Sequence, residues 1–554
     1  MLLDNNIYVG LDQEGNRVNL NLSMSNRHGL IAGATGTGKT ITMKVLAESF
    51  ADAGVPVFLC DVKGDVSGIC TPGEQTEDME ARIDKFGLRD YFKYKGYTTT
   101  FWDIYGENGH PIRATVSDMG PELLARILGL TDVQEGVLNI IFRIADDNGL
   151  LLIDLKDLRA MVNYVGDHKD EYTLQYGNIA QASLGGIVRA ILPIENQGGN
   201  LFFGEPDLDI MDWIRTDING NGMINVLDSV KLVNSPKIYA IFLLWMMAEL
   251  FEKLPEEGDM EKPKMVFFFD EAHFLFTDMP SVFIQKIEQM VKLIRSKGVG
   301  VFFVTQNPAD IPDSVLAQLS NKVQHALRAY TPAEQKAVRA AAQSFRENPA
   351  FKTEDVIMEL GTGEALVSFL DEKGIPAITQ RTKIVCPQSL MGPADPAIRE
   401  SMMSSDGMNK YDTYMDNESA YEVLHGQAQV AAEEAKLAAE REAFEREKEE
   451  FAKQKAKEEA AAEKEALKAQ EKAAKEALKA QEKAEKEALK AIEKEQRARE
   501  RQAQNAVGSV GSTLGREFGK LVGNTIGGSL GKKVGGNLGS TLARGFFKNL
   551  IGRK

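Results

Sequence analysis

Cysteine is scarce: Cys60, Cys70 and Cys386 are the only three in 554 residues, and no two form a C-x-x-C pair. A disulfide scaffold is therefore excluded, and the six scattered histidines show no zinc-ligand spacing. Long apolar runs are also missing. The longest uncharged one, Ile238 to Ala248, is too short to cross a bilayer. The opening MLLDNNIYVG lacks the basic-then-apolar layout of a signal peptide, so the expected compartment is the reducing cytoplasm. Nor is there a general excess of basic charge, since the formal net charge is −16. Residues 421–505 carry 19 Lys/Arg against 21 Asp/Glu and residues 506–554 carry 8 against 1, which leaves 38 against 59 for residues 1–420. An acidic body is poor generic evidence for nucleic-acid binding, which rests largely on neutralising phosphates. Any such partner would have to meet a local basic surface.

What the chain does have is 43% apolar residues and enough length for several domains. Up to about residue 390, short apolar or β-branched runs alternate with amphipathic stretches, which predicts an α/β fold with a mainly parallel sheet. The clearest strands are 29–33, 55–61, 265–270 and 299–306, nearly all apolar as strands buried on both faces should be. The segment before residue 29 reads as a short β extension. Between the second and third strands, residues 70–225 read as a largely helical insert, and polar residues 391–420 read as a linker. Within the insert, Asp217 to Asp228 has calcium-loop spacing with only two carboxylates. The twelfth place is Asp and MINVLD reads as a strand, so a turn into a strand explains it better.

The chemistry concentrates in one octapeptide. Gly33, Ala34, Thr35, Gly36, Thr37, Gly38, Lys39 and Thr40 satisfy GxxxxGK[ST] between an apolar strand and a helix. In that setting backbone N–H groups and the helix N-terminus cradle phosphates, Lys39 reaches the β/γ-phosphates and Thr40 binds Mg²⁺. This predicts an ATP site. The strand 265–269 runs into Asp270 and Glu271, a carboxylate for Mg²⁺ and one to polarise the attacking water. Gln306, at the end of strand 299–306, is placed to sense the γ-phosphate. Arg27, Arg295 and Arg328 are candidate fingers for a neighbouring subunit, although any one of them reads more readily as an ordinary surface arginine. The segment Asp61-Val62-Lys63-Gly64-Asp65 ends the second strand beside this site.

These blocks, with QGGNLFFGEP (197–206), VFFFDEAH, RSKGVGVFFVTQNPADIPDSVLAQLSNKVQHALRAY and GTGEALVSFLDEKG, resemble the HerA/FtsK group of P-loop ATPases. The likeness spans roughly residues 5–395 and is strongest to bacterial HerA-like helicases of the YjgR type. It implies a RecA-like fold, homo-hexameric rings and ATP-driven translocation on DNA. Archaeal HerA carries a β-barrel ahead of its P-loop, whereas 32 residues precede Gly33 here. A rival reading is an ATP-switched scaffold whose residues 421–554 recruit a protein or a membrane surface.

Those residues divide into two. From 421 to 505 the composition collapses to Ala, Glu, Lys and Gln, with an eleven-residue repeat marked by Leu467, Leu478 and Leu489. This predicts a helix on the order of 120 Å long, as a solvated spacer or as one strand of a coiled coil. Residues 506–554 place glycine at every fourth position from Gly511 to Gly539, with Val510, Leu514, Phe518, Val522 and their successors one residue ahead. Interior glycines cost a helix about 0.8–1 kcal/mol each, so the isolated tail should be disordered in water and should order only on self-association or on an anionic surface. Circular dichroism of a 506–554 peptide, alone and with anionic vesicles, checks this. A monomeric helix in plain buffer would contradict it.

Overall fold

The computed structural model describes residues 1–258, 260–277 and 281–500; the glycine-rich tail lies outside the described residues. The chain falls into two compact units, Met1–Leu437 and Ala438–Lys554. The first is built on one sheet of thirteen strands. In chain order they are β1 (Leu2–Leu3), β2 (Asn6–Leu11), β3 (Arg17–Asn21), β4 (Gly29–Ala32), β5 (Val57–Asp61), β6 (Thr99–Asp103) and β7 (His110–Pro111). There follow β8 (Ile224–Asp228), β9 (Met265–Phe269), β10 (Val299–Thr305), β11 (Asn321–His325), β12 (Glu364–Ser368) and β13 (Gln380–Ile384). Across the sheet the order is β1-β2-β13-β12-β11-β4-β10-β9-β5-β8-β6-β7, with β3 paired to β2. Every pairing from β11 to β7 is parallel, and those from β11 to β1 are antiparallel.

The parallel strands β4, β5, β9 and β10 are buried along their whole length because helices cover both faces. The apolar run Ile238–Ala248 belongs to the helix Pro236–Lys253, most of whose side chains are buried in the larger core cluster. Among the described residues no helix is long and apolar enough to cross a membrane.

Two sequence expectations change in detail, and the reading of one loop holds. The N-terminal β extension is part of the main sheet, since β2 pairs with β13. The insert 70–225 is not purely helical: β6, the run TTFWD, pairs with β8 inside the sheet, and Trp102 Nε1 donates to the buried Asn225 Oδ1 at 3.0 Å. The calcium-like loop is a turn, in which Asp217 Oδ1 accepts from the backbone N–H groups of Asn219 and Asn221 ahead of β8.

The largest difference is the segment expected to be a linker. Residues 391–420 form an ordered strap with its own helix, Pro396–Ser405, and Met408, Tyr411 and Ala420 sit in the core. Its polar residues have specific partners. His110, fully buried on β7, contacts Asp412 through Nδ1 at 2.6 Å and Asp406 through Nε2 at 3.2 Å. Arg113 donates to the Tyr411 carbonyl at 2.8 Å, and Tyr411 donates to Asp212 at 2.6 Å. The strap ends on Asp157, a buried carboxylate that accepts the Ile153, Asp154 and Tyr421 backbone N–H groups and the Ser419 hydroxyl. From there the helix Ala420–Glu500 begins. In the second unit that helix exposes Leu467, Leu478 and Leu489, and it carries ion pairs at four-residue spacing such as Arg446 with Glu442.

The strap should loosen at high pH. Burial alone would hold His110 neutral, but Asp406 and Asp412 outweigh it and raise its pKa above the ordinary 6.5. A raised histidine contributes stability that is complete below the unfolded value and lost as pH rises through the folded value. Limited proteolysis within 391–419 should therefore speed up as pH climbs above 6.5. His110→Ala should remove that pH dependence and lower stability by about 2 kcal/mol.

Candidate active site

The sheet determines where the phosphate loop lies. β4 is paired on one side with β10 and on the other with β11, so the loop leaving Ala32 is tethered to both neighbours. Gly33 N–H donates to the Thr305 carbonyl at 3.2 Å, and Ala34 N–H donates to the Ala326 carbonyl at 2.8 Å. Gly33, Gly36 and Gly38 take φ values of 154°, 74° and 114°, and Gly38 caps the helix Lys39–Asp52. Side-chain-bearing residues avoid that region, which is the physical reason for glycine in the motif. The loop also closes against β12, through the Gly363 N–H donated to the Thr37 carbonyl at 3.0 Å.

Under the loop, His325 at the end of β11 accepts at Nε2 from the Thr42 hydroxyl, 2.9 Å, and donates from Nδ1 to the Glu364 carbonyl, 2.9 Å. Burial drives its pKa down to about 4, so the ring is neutral and matches that pattern of one donor and one acceptor. Lys39 is buried, and its Nζ donates to the carbonyls of Gly33 at 2.7 Å and Ala34 at 3.1 Å. Burial and the nearby Lys63 charge lower its pKa, against the pull of Glu271 and Asp270. An ammonium held over two carbonyls inside the loop is where a phosphate charge would be accepted. Thr40 is half-buried in the first turn of the same helix.

Asp270 and Glu271 follow β9 at the same edge of the sheet. Asp270 is 1% exposed; its Oδ1 accepts the Glu271 N–H at 2.9 Å, while Oδ2 has no hydrogen-bond partner. Burial foremost, and Glu271 in addition, push its pKa up to about 6 despite Lys63. A buried carboxylate oxygen without a partner fits a hydrated divalent cation. Glu271 is a non-glycine residue at φ 47°, ψ 49°, a strained left-handed conformation. Its carboxylate accepts from Gln306 Nε2 at 3.0 and 3.2 Å, pairs with Lys63 Nζ at 2.6 Å and lies 3.3 Å from His273 Nδ1. Burial opposes ionisation, but the bonds from Lys63 and Gln306 outweigh it and lower the pKa. Gln306 completes a bridge to the loop by accepting from Thr35 Oγ1 at 3.2 Å.

Lys39, Asp270, Glu271 and Gln306 thus converge at one edge. The arginines do not join them. Arg295 precedes β10 and Arg27 precedes β4, so both lie at the opposite edge of the parallel strands, about 20 Å away along a strand. Arg328 follows β11 on the P-loop edge, but its guanidinium donates to the Met358 and Leu360 carbonyls of its own chain. Residues not singled out from sequence are His325, Thr42 and His273, whose proximity depends on strand order. The Lys63 segment was legible as a strand end beside the site; its contact with Glu271 was not.

A phosphate loop on a central parallel strand, a buried aspartate and a neighbouring glutamate on the strand beyond the next, and a polar residue between them are the arrangement of a RecA-like P-loop nucleotide-binding fold. A family model described as Helicase HerA-like C-terminal matches residues 6–554, and the chain belongs to that family. DNA double-strand break repair helicase HerA of Sulfolobus acidocaldarius is 22% identical over 371 residues, 63% of this chain. The chain spans 64% of that relative's length. Among solved structures, the bacterial conjugative coupling protein TrwBΔN70 is 13% identical, with 70% of this chain and 91% of that one aligned at a TM-score of 0.48. VirB4 of Thermoanaerobacter pseudethanolicus is 17% identical over 70% of this chain and 97% of that one, at a TM-score of 0.41.

Gly33 should tolerate no side chain. A Cβ there would lie 2.5 Å from His325 Cβ, and φ is 154°. Gly33→Ala should destabilise the protein by about 2–3 kcal/mol, and phosphate-loop ligands should no longer raise its melting temperature. Thermal shift with and without nucleotide reads both effects.

Proposed function

We propose that this protein is a Mg²⁺-dependent ATP hydrolase that works as a homo-hexameric ring and couples turnover to movement on DNA in the cytoplasm. The observation that carries the reading is the convergence of Lys39, Asp270, Glu271 and Gln306 on one sheet edge, in a chain of the HerA-like helicase family. In this reading Gly33 to Thr40 wrap the phosphates of ATP, and Lys39 neutralises the β/γ charge. Thr40 and Asp270 hold Mg²⁺, which supplies charge neutralisation when bound. Glu271 accepts a proton from the attacking water. Gln306, between Glu271 and the loop, reports whether a γ-phosphate is present.

The ring rests on the family alone; Arg295 lies on the edge away from its own P-loop, so a role at a nucleotide would have to be at a neighbour's. Arg328 is the alternative finger and would first have to leave the carbonyls it caps. DNA is supported by the family and opposed by the acidic body. That acidity favours the rival reading, a scaffold whose long helix and tail recruit protein or membrane partners while ATP times assembly.

Lys39→Ala should weaken nucleotide binding by roughly a hundredfold, about 3 kcal/mol. Glu271→Gln should leave binding near wild type and lower kcat by roughly 10²- to 10³-fold. Nucleotide titration and steady-state hydrolysis measure these. Turnover should rise with protein concentration, and Arg295→Ala mixed into wild type should poison more than its share. Duplex or single-stranded DNA should accelerate hydrolysis in a salt-sensitive way. No response to either at low salt would favour the scaffold.

A further inference from the structure

Glu271 needs a free oxygen lone pair facing the nucleotide to take a proton from water. Much of that capacity is already taken. Oε1 is held by Lys63 Nζ at 2.6 Å and Gln306 Nε2 at 3.0 Å, while Oε2 is met by Gln306 at 3.2 Å and approached by His273 Nδ1 at 3.3 Å. The carboxylate is also only 3% exposed, so water reaches its pair with Lys63 from the lysine side. Of the three neighbours, Lys63 is the one built to leave. It lies on the loop after β5, its side chain is 37% exposed, and the loop turns through Gly64 at φ 77°. Asp61 holds that turn by accepting the N–H groups of Gly64 at 2.7 Å and Val66 at 3.0 Å. Because β5 pairs with β9 with Cys60 opposite Phe269, the loop is carried directly over Glu271.

We propose that Lys63 is a positioning residue that restrains Glu271 in the nucleotide-free protein and must release it before water can be activated. The nucleotide supplies the competing partner, since phosphate oxygens attract the same ammonium on its flexible stem. The pair thus suppresses hydrolysis until the bound nucleotide has drawn Lys63 away. This rests on the reading of Glu271 as the base.

The test compares wild type, Lys63→Met, Lys63→Arg, Glu271→Gln and the Lys63→Met/Glu271→Gln double variant, without nucleic acid. Lys63→Met should raise kcat by roughly three- to tenfold, the loss of one charge-assisted bond to the ground-state carboxylate, with KM changed far less. Lys63→Arg, which keeps a cation, should stay closer to wild type, and the double variant should be inert. A second readout needs no turnover. In nucleotide-free Glu271→Gln, acetylation of Lys63 by an amine-reactive ester, followed by mass spectrometry, should be roughly threefold faster than in wild type, because the ammonium has lost its partner. If Lys63→Met turns over at or below the wild-type rate, or if Lys63 labels equally in both proteins, the restraint is wrong. If Glu271→Gln hydrolyses ATP like wild type, the assignment of the base fails, and the restraint fails with it.

Discussion

The site depends on a backbone constraint before any side chain is considered: β4 is held in parallel register between β10 and β11. Parallel strands end on the same edge, so the residues that follow them are brought together however far apart they lie in sequence. Gly33, Asp270 and Gln306 are neighbours because β4, β9 and β10 stop at nearly the same level, with Ala32 opposite Thr305 and Phe303 opposite Phe269. The buried aromatic and aliphatic residues of those strands make slippage costly, since any shift would carry charged residues into the core. Hydrophobic burial therefore fixes the geometry on which the electrostatics act.

The electrostatics balance within the site. Two cations, Lys39 and Lys63, face two carboxylates, Asp270 and Glu271, in a region poorly reached by water. The charges are shared unequally. Glu271 takes the direct bonds, from Lys63 and Gln306, while Asp270 keeps one oxygen without a partner. The two carboxylates consequently shift in opposite directions, Glu271 down and Asp270 up. Such divergence suits a pair in which one member awaits a cation and the other a proton.

What could be read from the sequence followed the range of the signal. The phosphate loop, its strand and helix, and the Asp270-Glu271 pair are local patterns whose residues need only their immediate neighbours, and the parallel α/β architecture follows from apolar runs of strand length. The contact between Lys63 and Glu271 spans more than two hundred positions and depends on β5 lying beside β9, which no local pattern states. The strap was obscured differently. Its residues are polar and look solvated, but several are matched to partners far upstream: Asp406 and Asp412 to His110, Ser419 to Asp157. β6 was hidden by its surroundings, since TTFWD carries β-branched and aromatic strand character in the midst of helical segments.

The knot at Asp157 has a mechanical side. Here the first turn of the helix Ala420–Glu500 is bolted down, with the Ala420 N–H on the Leu151 carbonyl, the Tyr421 N–H on Asp157, and Lys156 paired with Glu422. The bolts sit on the helix Leu155–Asp167 and the residues just before it, within the helical insert. A displacement of that insert would therefore carry the first turn of the helix with it.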